Sequence, residues 1–311
     1  MTTAEQIQLL ALCRIEGLSW TLVAREARRP NGLDVLASGR VTERSKEAER
    51  SRQQLRGARN RLPALQAEVE ETLRDATERG LRLTTVLDED YPLNLRTIFN
   101  APPFVFYRGN LDADTDARSV AVVGTRRASA QGLERARKMA KLLVESHVTV
   151  LSGLARGIDT AAHEATLDAG GRTIAVLGSG LSNIYPPENE ALVERIVERG
   201  AVVSQFFPRA SPTKISFPLR NVTMSGMGQG TVVIEAGPTS GAKLQARLAL
   251  EHGRKVFLVS NLVAHQVWAR KYIARGAVEV KDVESILHAL RSPEQIRARA
   301  HDTHQLALGL D

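Results

Sequence analysis

Six short apolar runs, each followed by a turn and then by a helical pattern, dominate the middle of this 311-residue chain. The runs are rich in valine, isoleucine and leucine and lie at 120–123, 148–151, 173–177, 201–204, 231–235 and 255–259. They are continuously apolar, as expected of parallel strands that are covered by helices on both faces. Strands that alternate with helices in this way predict a doubly wound, mostly parallel α/β sheet.

The same reading divides the chain into three parts. We predict a small all-helical N-terminal module at 1–80, where Pro63 interrupts a charged helical stretch and indicates two helices. We predict the α/β domain at 81–290, with additional strands at 81–87 and 104–109 and a last short β-α unit at 277–289. Residues 291–311 form a tail that resembles a weak helix or a frayed end. The predicted helices of the domain are 132–146, 159–169, 188–199, 219–227, 241–252 and 265–275.

Composition excludes several classes of protein. Hydrophobic residues make up 43% of the chain, enough for a well-filled core. The single cysteine, Cys13, excludes a disulfide framework and a cysteine-rich metal site. The first residues lack the pattern of a secretory signal, and no apolar run approaches the ~18 residues that a membrane span needs. We therefore expect a cytoplasmic protein with no membrane contact, no metal and no cofactor.

The basic charge is confined to one region. The formal net charge is +7, and residues 91–290 carry 24 basic and 17 acidic residues, whereas the two flanking regions are balanced. A basic surface on the α/β domain would attract a polyanion.

The segments that follow the predicted strands define a candidate site, because ligands of open parallel sheets bind beyond the carboxyl ends of the strands. Glycines there permit close approach of a ligand to the backbone, and the helices that follow direct free N–H groups towards a phosphate. Thr125, Arg126 and Arg127 follow the first strand, and the arginines add charge and forked donors. The glycines are Gly124, Gly153, Gly157, Gly178, Gly180 and Gly241, and of these we expect Gly178, Gly180 and Gly241 to organise helix caps and loops.

The long connection after the fourth strand is the strongest polyanion-binding feature. It interleaves cations with phenylalanines, the combination that holds phosphates and bases of a single strand. We expect Phe206 or Phe207 to anchor this loop to the core and Phe217 to face the site. Lys214 and Arg220 are the neighbouring cations.

Catalytic signatures are missing from the sequence. There is no G-x-G-x-x-G motif and no acidic residue at the end of the second strand, which disfavours an ordinary dinucleotide site. No nucleophile, base and acid stand in a recognisable arrangement, so we do not predict an enzyme. Asp159 is expected to cap a helix and organise its loop, and His163 to pack in the interior.

Several segments resemble the DNA-processing A (DprA/Smf) family. They include Ser152-Gly-Leu-Ala-Arg-Gly-Ile-Asp159, Ile184-Tyr-Pro-Pro-Glu-Asn189 and Phe217-Pro-Leu-Arg-Asn221, and the resemblance covers about residues 81–290. It implies an extended Rossmann fold, single-stranded DNA binding, a homodimer, and loading of a RecA-type recombinase during natural transformation (competence). The helical N-terminus is similar to a sterile-alpha-motif-like module. By motif position the implied DNA groove comprises Gly124, Arg126, 153–159, Lys214, Phe217, Arg220 and Asn221.

The ligand-facing segments depart from the family pattern, which leaves alternatives open. Altered stretches follow Asn221 and Ser240. In the first hypothesis a single strand lies across the strand ends, with Arg126, Arg156, Lys214, Arg220 and Lys243 on its phosphates. In the second, a nucleotide-binding or nucleotide-hydrolysing pocket uses the segment 228–231 and Glu235. A pure assembly partner and a specialised paralogue in defence against foreign DNA are further alternatives.

Overall fold

The computed structural model describes residues 2–292 and 294–298, and within them nine strands form one sheet. The order across the sheet is β1-β2-β6-β5-β4-β3-β7-β8-β9. The strands are β1 (Arg82–Thr85), β2 (Phe104–Gly109), β3 (Ser119–Val123), β4 (Thr149–Ser152), β5 (Thr173–Val176), β6 (Ala201–Ser204), β7 (Gly230–Val233), β8 (Lys255–Val259) and β9 (Val278–Val280).

The sheet is parallel from β6 through to β9 and antiparallel at one edge. Strand β2 runs antiparallel to both β1 and β6, with Phe106 opposite Leu83 on one side and Ser204 on the other. Every residue of β3, β4, β5, β6 and β7 is buried, because helices cover both faces. The predicted doubly wound, mostly parallel α/β sheet is confirmed.

Helices connect the parallel strands as the sequence pattern predicted, with shifts of up to three residues at their ends and one internal break. The helices are α6 (Ala130–Glu145), α7 (Ile158–Asp168), α8 (Glu190–Arg199), α9 (Ser216–Met227), α10 (Gly241–Glu251), α11 (Ser260–His265), α12 (Val267–Ile273) and α13 (Glu284–Leu287). The single helix predicted at 265–275 is wrong, because Gln266 adopts an extended conformation that separates α11 from α12. Helix α9 begins three residues earlier than predicted, where Thr213 and Ser216 exchange side-chain hydrogen bonds with each other's backbone N–H groups.

Among the described residues, five α-helices precede the sheet. They are α1 (Ala4–Cys13), α2 (Trp20–Ala27), α3 (Gly32–Ala37), α4 (Lys46–Ala58) and α5 (Leu62–Glu78). Pro63 lies in the first turn of α5, where a missing N–H costs nothing, so the predicted break is at the right place. The division of the chain at residue 80 stays a prediction. No helix among the described residues is long and apolar enough to cross a membrane.

The direction in which strands are added reverses at β3. From β3 the chain adds β4, β5 and β6 on one side, and it then returns to add β7, β8 and β9 on the other. At such a reversal the two flanking connections diverge and leave a crevice beyond the carboxyl ends of the strands. The fold therefore predicts the ligand site beyond β3, between the segments that follow β4 and β7.

Candidate nucleic-acid interface

A cleft of about 470 Å³ lies where the sheet reverses. Its walls come from the segment after β3, the start of α7, the first two turns of α9 and the N-terminus of α10. It collects nine of the residues that the sequence singled out. These are Gly124, Thr125, Arg126, Arg127, Asp159, Phe217, Arg220, Asn221 and Gly241.

The turn after β3 is shaped by Gly124. A Cβ atom at this position would lie 2.4 Å from Cγ1 of Ile158, so no larger residue fits without a shift of α7. The N–H of Thr125 donates to the carbonyl oxygen of Glu235 at 2.7 Å, which ties the turn to the segment after β7. The two arginines that follow, Arg126 and Arg127, are consequently exposed at the rim of the cleft.

The arginines at the rim are not neutralised by the protein itself. Among the described residues, no carboxylate forms an ion pair with Arg126 or Arg127. The guanidinium of Arg126 lies over the ring of Phe217, 5.3 Å from its centroid. This edge of the cleft therefore combines uncompensated positive charge with an aromatic surface.

Glu235 has a structural role close to the cleft. Its carboxylate accepts hydrogen bonds from the backbone N–H of Ser129 and, at 2.8 Å, from the Ser129 hydroxyl. Ser129 is the N-cap of α6 and in turn accepts from the N–H of Gly132. The carboxylate that a nucleotide-hydrolysing pocket would need is thus engaged in holding the start of α6.

The loop after β4 is organised by a buried carboxylate. Oδ2 of Asp159 accepts from the N–H of Gly153 at 3.1 Å. Burial raises the pKa of Asp159, and the charge of Arg220 and hydrogen bonds from the loop backbone act in the opposite direction. The expectation that Asp159 is the helix cap is wrong, because the N-cap is Gly157, whose φ of 79° favours glycine. Asp159 lies in the first turn and orders the loop from there.

Arg220 braces the walls of the cleft. The side chain is buried, and Nη1 donates to the carbonyl oxygens of Gly153, at 2.5 Å, and Val176, at 2.8 Å. Nε donates to Oδ1 of Asn221 at 3.0 Å. Burial lowers the pKa of this guanidinium, the charge of Asp159 counteracts that effect, and Arg126 adds repulsion. Contact of Arg220 with a phosphate stays a prediction, since most of its donors already serve the protein.

The two ends of the long loop after β6 have different roles. Phe207 packs against the rings of Trp20 and Phe104, with centroids 6.0 and 5.1 Å away, so it is the anchor that the sequence predicted. Phe217 is half-buried and faces the cleft. Its ring lies against Gly178, where a Cβ atom would come within 2.8 Å of Cδ1.

Gly180 fixes the path of the same loop. Its N–H donates to the carbonyl oxygen of Ala210, and a Cβ atom at Gly180 would lie 2.1 Å from the carbonyl oxygen of Phe207. At Gly180 two backbone segments therefore approach so closely that no side chain fits between them. Close approach of this kind is the physical basis for the loop-organising role expected of Gly180.

Three predicted cations do not line the cleft. The guanidinium of Arg156 forms an ion pair with Glu188. Lys214 is exposed ahead of α9, and Nζ of Lys243 donates to the carbonyl oxygen of Pro238 at 3.0 Å. The exposed positive charge at the cleft is consequently concentrated on Arg126 and Arg127, whereas Arg220 is buried in the wall.

Sequence reasoning missed part of the site. Thr239, Ser240 and Gln245 line the cleft as well, and the sequence patterns did not indicate them as site residues. Tyr185 packs against Phe217, but the sequence indicated it only as a member of the segment 184–189. Its position before two prolines, in a segment that follows a strand, could have indicated a residue near the cleft.

A parallel sheet with a cationic, glycine-lined cleft at its reversal defines a Rossmann-like α/β protein. The family model described as DNA recombination-mediator protein A matches residues 82–291, more than half of the chain. The chain belongs to this family.

Curated relatives agree with that assignment. The chain is 35% identical over 267 residues to Protein Smf of Synechocystis, an alignment that covers 84% of this chain and 66% of that protein. It is 43% identical over 175 residues to DNA processing protein DprA of Streptococcus pneumoniae, covering 56% and 61% respectively. It is 30% identical over 244 residues to the Bacillus subtilis DprA, covering 77% and 82%. The chain therefore spans about two thirds of the length of the first two relatives.

Solved structures show the same fold. The X-ray structure of DprA from Streptococcus pneumoniae superposes with a TM-score of 0.70 at 31% identity, over 94% of this chain and 99% of that one. DprA from Helicobacter pylori superposes with a TM-score of 0.58 at 23% identity, over 67% and 95%. The Helicobacter pylori structure is described as showing a unique single-stranded DNA binding mode of that protein.

Proposed function

We propose that this chain binds single-stranded DNA in the cleft beyond β3 and acts in DNA processing and recombination. The observation that carries the proposal is the pair Arg126 and Arg127, which stand at the rim of a glycine-lined cleft without a carboxylate partner among the described residues. Two uncompensated guanidinium groups attract a polyanion by releasing its counterions.

The shape of the cleft supports a backbone phosphate as the group that enters it. Gly241 and Ala242 begin α10 at the cleft wall, so the positive end of the helix dipole faces this space. The N–H of Ala242 already donates to the Ser240 hydroxyl, whereas the N–H of Gly241 has no hydrogen-bond acceptor among the described residues. Phe217 offers a ring beside the cations, and a ring beside a phosphate site suits a base of an unpaired strand. A duplex has its bases stacked inside, so it cannot use this ring.

The relatives support the same role at the level of the family. The family description names a recombination mediator, and the Helicobacter pylori protein is described by its single-stranded DNA binding. By analogy with these relatives, we propose that the chain loads a RecA-type recombinase in natural transformation. We further propose that it is a cytoplasmic homodimer and not an enzyme. A paralogue that acts in defence against foreign DNA would use the same cleft.

A second candidate function is binding of a mononucleotide. It is favoured by the volume of about 470 Å³, which is within the range of small-molecule sites, and by the polar lining of Thr239, Ser240 and Gln245. Hydrolysis is disfavoured, because Glu235 is held by Ser129. A rise in the midpoint of thermal unfolding with nucleoside monophosphates, absent with single-stranded DNA, would support this candidate against the first.

The test of the first proposal is a charge reversal at the rim. Filter binding of a short single-stranded oligonucleotide is measured for the wild type, for Arg126→Glu and for Lys141→Glu. Lys141 is exposed on α6, about 16 Å of helix away from its N-terminus, and its reversal changes the net charge equally. We expect Arg126→Glu to lose at least about tenfold in affinity, because a favourable charge becomes a repulsive one, and Lys141→Glu to stay near the wild type. Equal affinities of all three proteins would contradict the proposed cleft.

A further inference from the structure

An exposed aromatic residue stands beside the cleft. The rings of Tyr185 and Phe217 are in contact, with centroids 5.9 Å apart and planes inclined by 57°. Phe217 lines the cleft, whereas Tyr185 lies outside its lining and is 44% exposed. Two adjoining rings, one lining the cleft and the other open to solvent, therefore extend the aromatic surface beyond the cleft.

Tyr185 offers more open ring surface than Phe217 does. The ring of Phe217 is already in contact with Gly178 on the sheet side, with the guanidinium of Arg126 at 5.3 Å, and with Tyr185. Rings in contact have centroids 4.5–7 Å apart, so no base fits between Tyr185 and Phe217. A base that leaves the cleft therefore finds its open stacking surface on the outer side of Tyr185.

The segment that carries Tyr185 is fixed on both sides. The hydroxyl of Ser179 donates to the carbonyl oxygen of Asn183 at 2.6 Å, two residues before the ring. Nδ2 of Asn189 donates to the carbonyl oxygen of Leu154 at 2.9 Å, four residues after it. A ring that is already held in place loses little conformational entropy when a ligand stacks on it. No described residue accepts a hydrogen bond from the Tyr185 hydroxyl, so the contact with Phe217 is what holds the ring.

A second cation lies near Tyr185. The exposed guanidinium of Arg156 is paired with Glu188, and this pairing raises the pKa of Arg156, to which the Tyr185 phenol also contributes. Arg126 lies over the ring of Phe217, and Arg156 interacts electrostatically with Tyr185. Alternation of cations and rings along a path is the arrangement that holds the phosphates and bases of an unpaired strand.

We infer that Tyr185 provides the stacking surface for the base next to the nucleotide held in the cleft, so that a single strand leaves the cleft across Phe217 and Tyr185 towards Arg156. The inference rests on the proposed function, because a strand must first occupy the cleft. It assigns to Tyr185 a contact with a base, not with a phosphate. The contribution of this ring therefore depends on whether the strand carries bases.

Two oligonucleotides of equal length test this dependence. Fluorescence anisotropy is measured with a labelled thymidine oligonucleotide of about 15 nucleotides and with an abasic strand of the same length, on the wild type, Tyr185→Phe, Tyr185→Leu and Tyr185→Ala. We expect Tyr185→Ala and Tyr185→Leu to bind the thymidine strand about fivefold or more weakly, the lower end of the loss known for one base–aromatic stack. Tyr185→Phe keeps the ring and should match the wild type. On the abasic strand all four proteins should have equal affinity.

Any other result of this experiment would contradict either the stacking role of Tyr185 or the proposed function. If Tyr185→Ala binds the thymidine strand as tightly as the wild type does, the stacking surface does not exist. If it loses the same factor on the abasic strand, the ring supports the structure of the cleft and contacts no base, which also overturns the inference. A wild type that binds neither strand contradicts the proposed function, and the inference then falls with it. Thermal unfolding of each variant verifies that an affinity change is not a loss of fold.

Discussion

The guanidinium of Arg220 occupies the space into which a side chain at Gly153 would project. A Cβ atom at Gly153 would lie 2.2 Å from Nη1, the same atom that donates to the Gly153 carbonyl oxygen. The N–H of Gly153 donates in turn to Asp159, so the peptide groups of this glycine are held from both sides. The wall of the cleft between β4 and α9 therefore depends on the absence of a side chain at one position.

Replacement of this glycine should disturb the clamp. In Gly153→Ala the methyl group displaces the Arg220 guanidinium, so we expect the free energy of unfolding to fall by about 1–3 kcal/mol, the usual cost of overpacking. Binding of single-stranded DNA should weaken with it, because the cleft wall moves. Chemical denaturation and filter binding measure the two effects.

Gly241→Ala is the matched control for that substitution. Gly241 also lines the cleft, but a Cβ atom there would meet nothing within 4 Å. As the first residue of α10 it should tolerate alanine with unchanged or slightly greater stability. If Gly153→Ala proved as stable as Gly241→Ala, the clamp would not have the tightness described above.

The two phenylalanines of the long loop should separate stability from binding. Phe207 packs on Trp20 and Phe104 and lies under the guanidinium of Arg14, 4.0 Å from its centroid. We expect Phe207→Ala to lower the free energy of unfolding by about 2–4 kcal/mol and to leave the affinity of the folded protein for single-stranded DNA near the wild-type value. Phe217→Ala should do the reverse, with a loss of affinity and a smaller loss of stability. Interchanged effects would show that the two rings have been assigned to the wrong roles.

The removal of one cation from the rim should change the salt dependence of binding. In Arg126→Gln one phosphate contact is lost, so the slope of log K against log salt concentration should become shallower by about 0.7, the value for one contact with a single strand. The measurement is a titration at several salt concentrations, with Lys141→Gln as the control. An unchanged slope in Arg126→Gln would mean that this arginine does not contact a phosphate.

Two buried histidines make the fold sensitive to acid. Burial, reinforced by a nearby arginine, lowers the pKa of His163 to about 3 and that of His252 to about 4, below the ordinary value of 6.5. The folded protein therefore keeps both rings neutral at pH 5, whereas the unfolded chain binds protons on them. The contribution of the two neutral rings to stability is fully present above pH 6.5. It is lost as the pH falls towards 4 for His252 and towards 3 for His163. We expect a loss of about 2 kcal/mol per histidine between pH 7 and pH 5.

His163→Gln isolates one of these contributions. Nδ1 of His163 lies 2.7 Å from the Thr173 hydroxyl, which itself donates to the Val150 carbonyl oxygen, so Nδ1 carries the proton. Glutamine can retain a donor at this place but does not titrate. Urea unfolding at pH 7 and pH 5 should show a pH-dependent loss that is smaller by about 2 kcal/mol than in the wild type. A loss of the same size in both proteins would mean that His163 is protonated in the folded state.

The sheet and the position of the cleft could be predicted from the sequence, because each depends on a local pattern. Continuous apolar runs specify buried parallel strands, and Gly124 with Arg126 and Arg127 follows the strand at which the sheet reverses. The directions of individual side chains could not be predicted. Arg220 has the same charge as Arg126, but it points towards the carbonyl oxygens of two strand ends that are 67 and 44 residues away in the chain.

Long-range contacts also explain the remaining differences. Asp159 was expected at the N-cap, but the backbone of Gly157 takes that position and frees the carboxylate for the N–H of Gly153. Tyr185 gains its place beside Phe217 through the folding of two loops that are distant in sequence. A short predicted range such as 265–275 fails for a different reason, since a single extended residue, Gln266, splits it.

The proposed function requires the cleft beyond β3 to bind an unpaired polyanionic strand. The most direct measurement is a filter-binding titration of the wild type with single-stranded and double-stranded DNA of equal length at two salt concentrations. We expect tighter binding of the single strand at both concentrations and weaker binding of both ligands at the higher one. Affinity for the duplex equal to or greater than that for the single strand, or no binding at low salt, would contradict the proposed function.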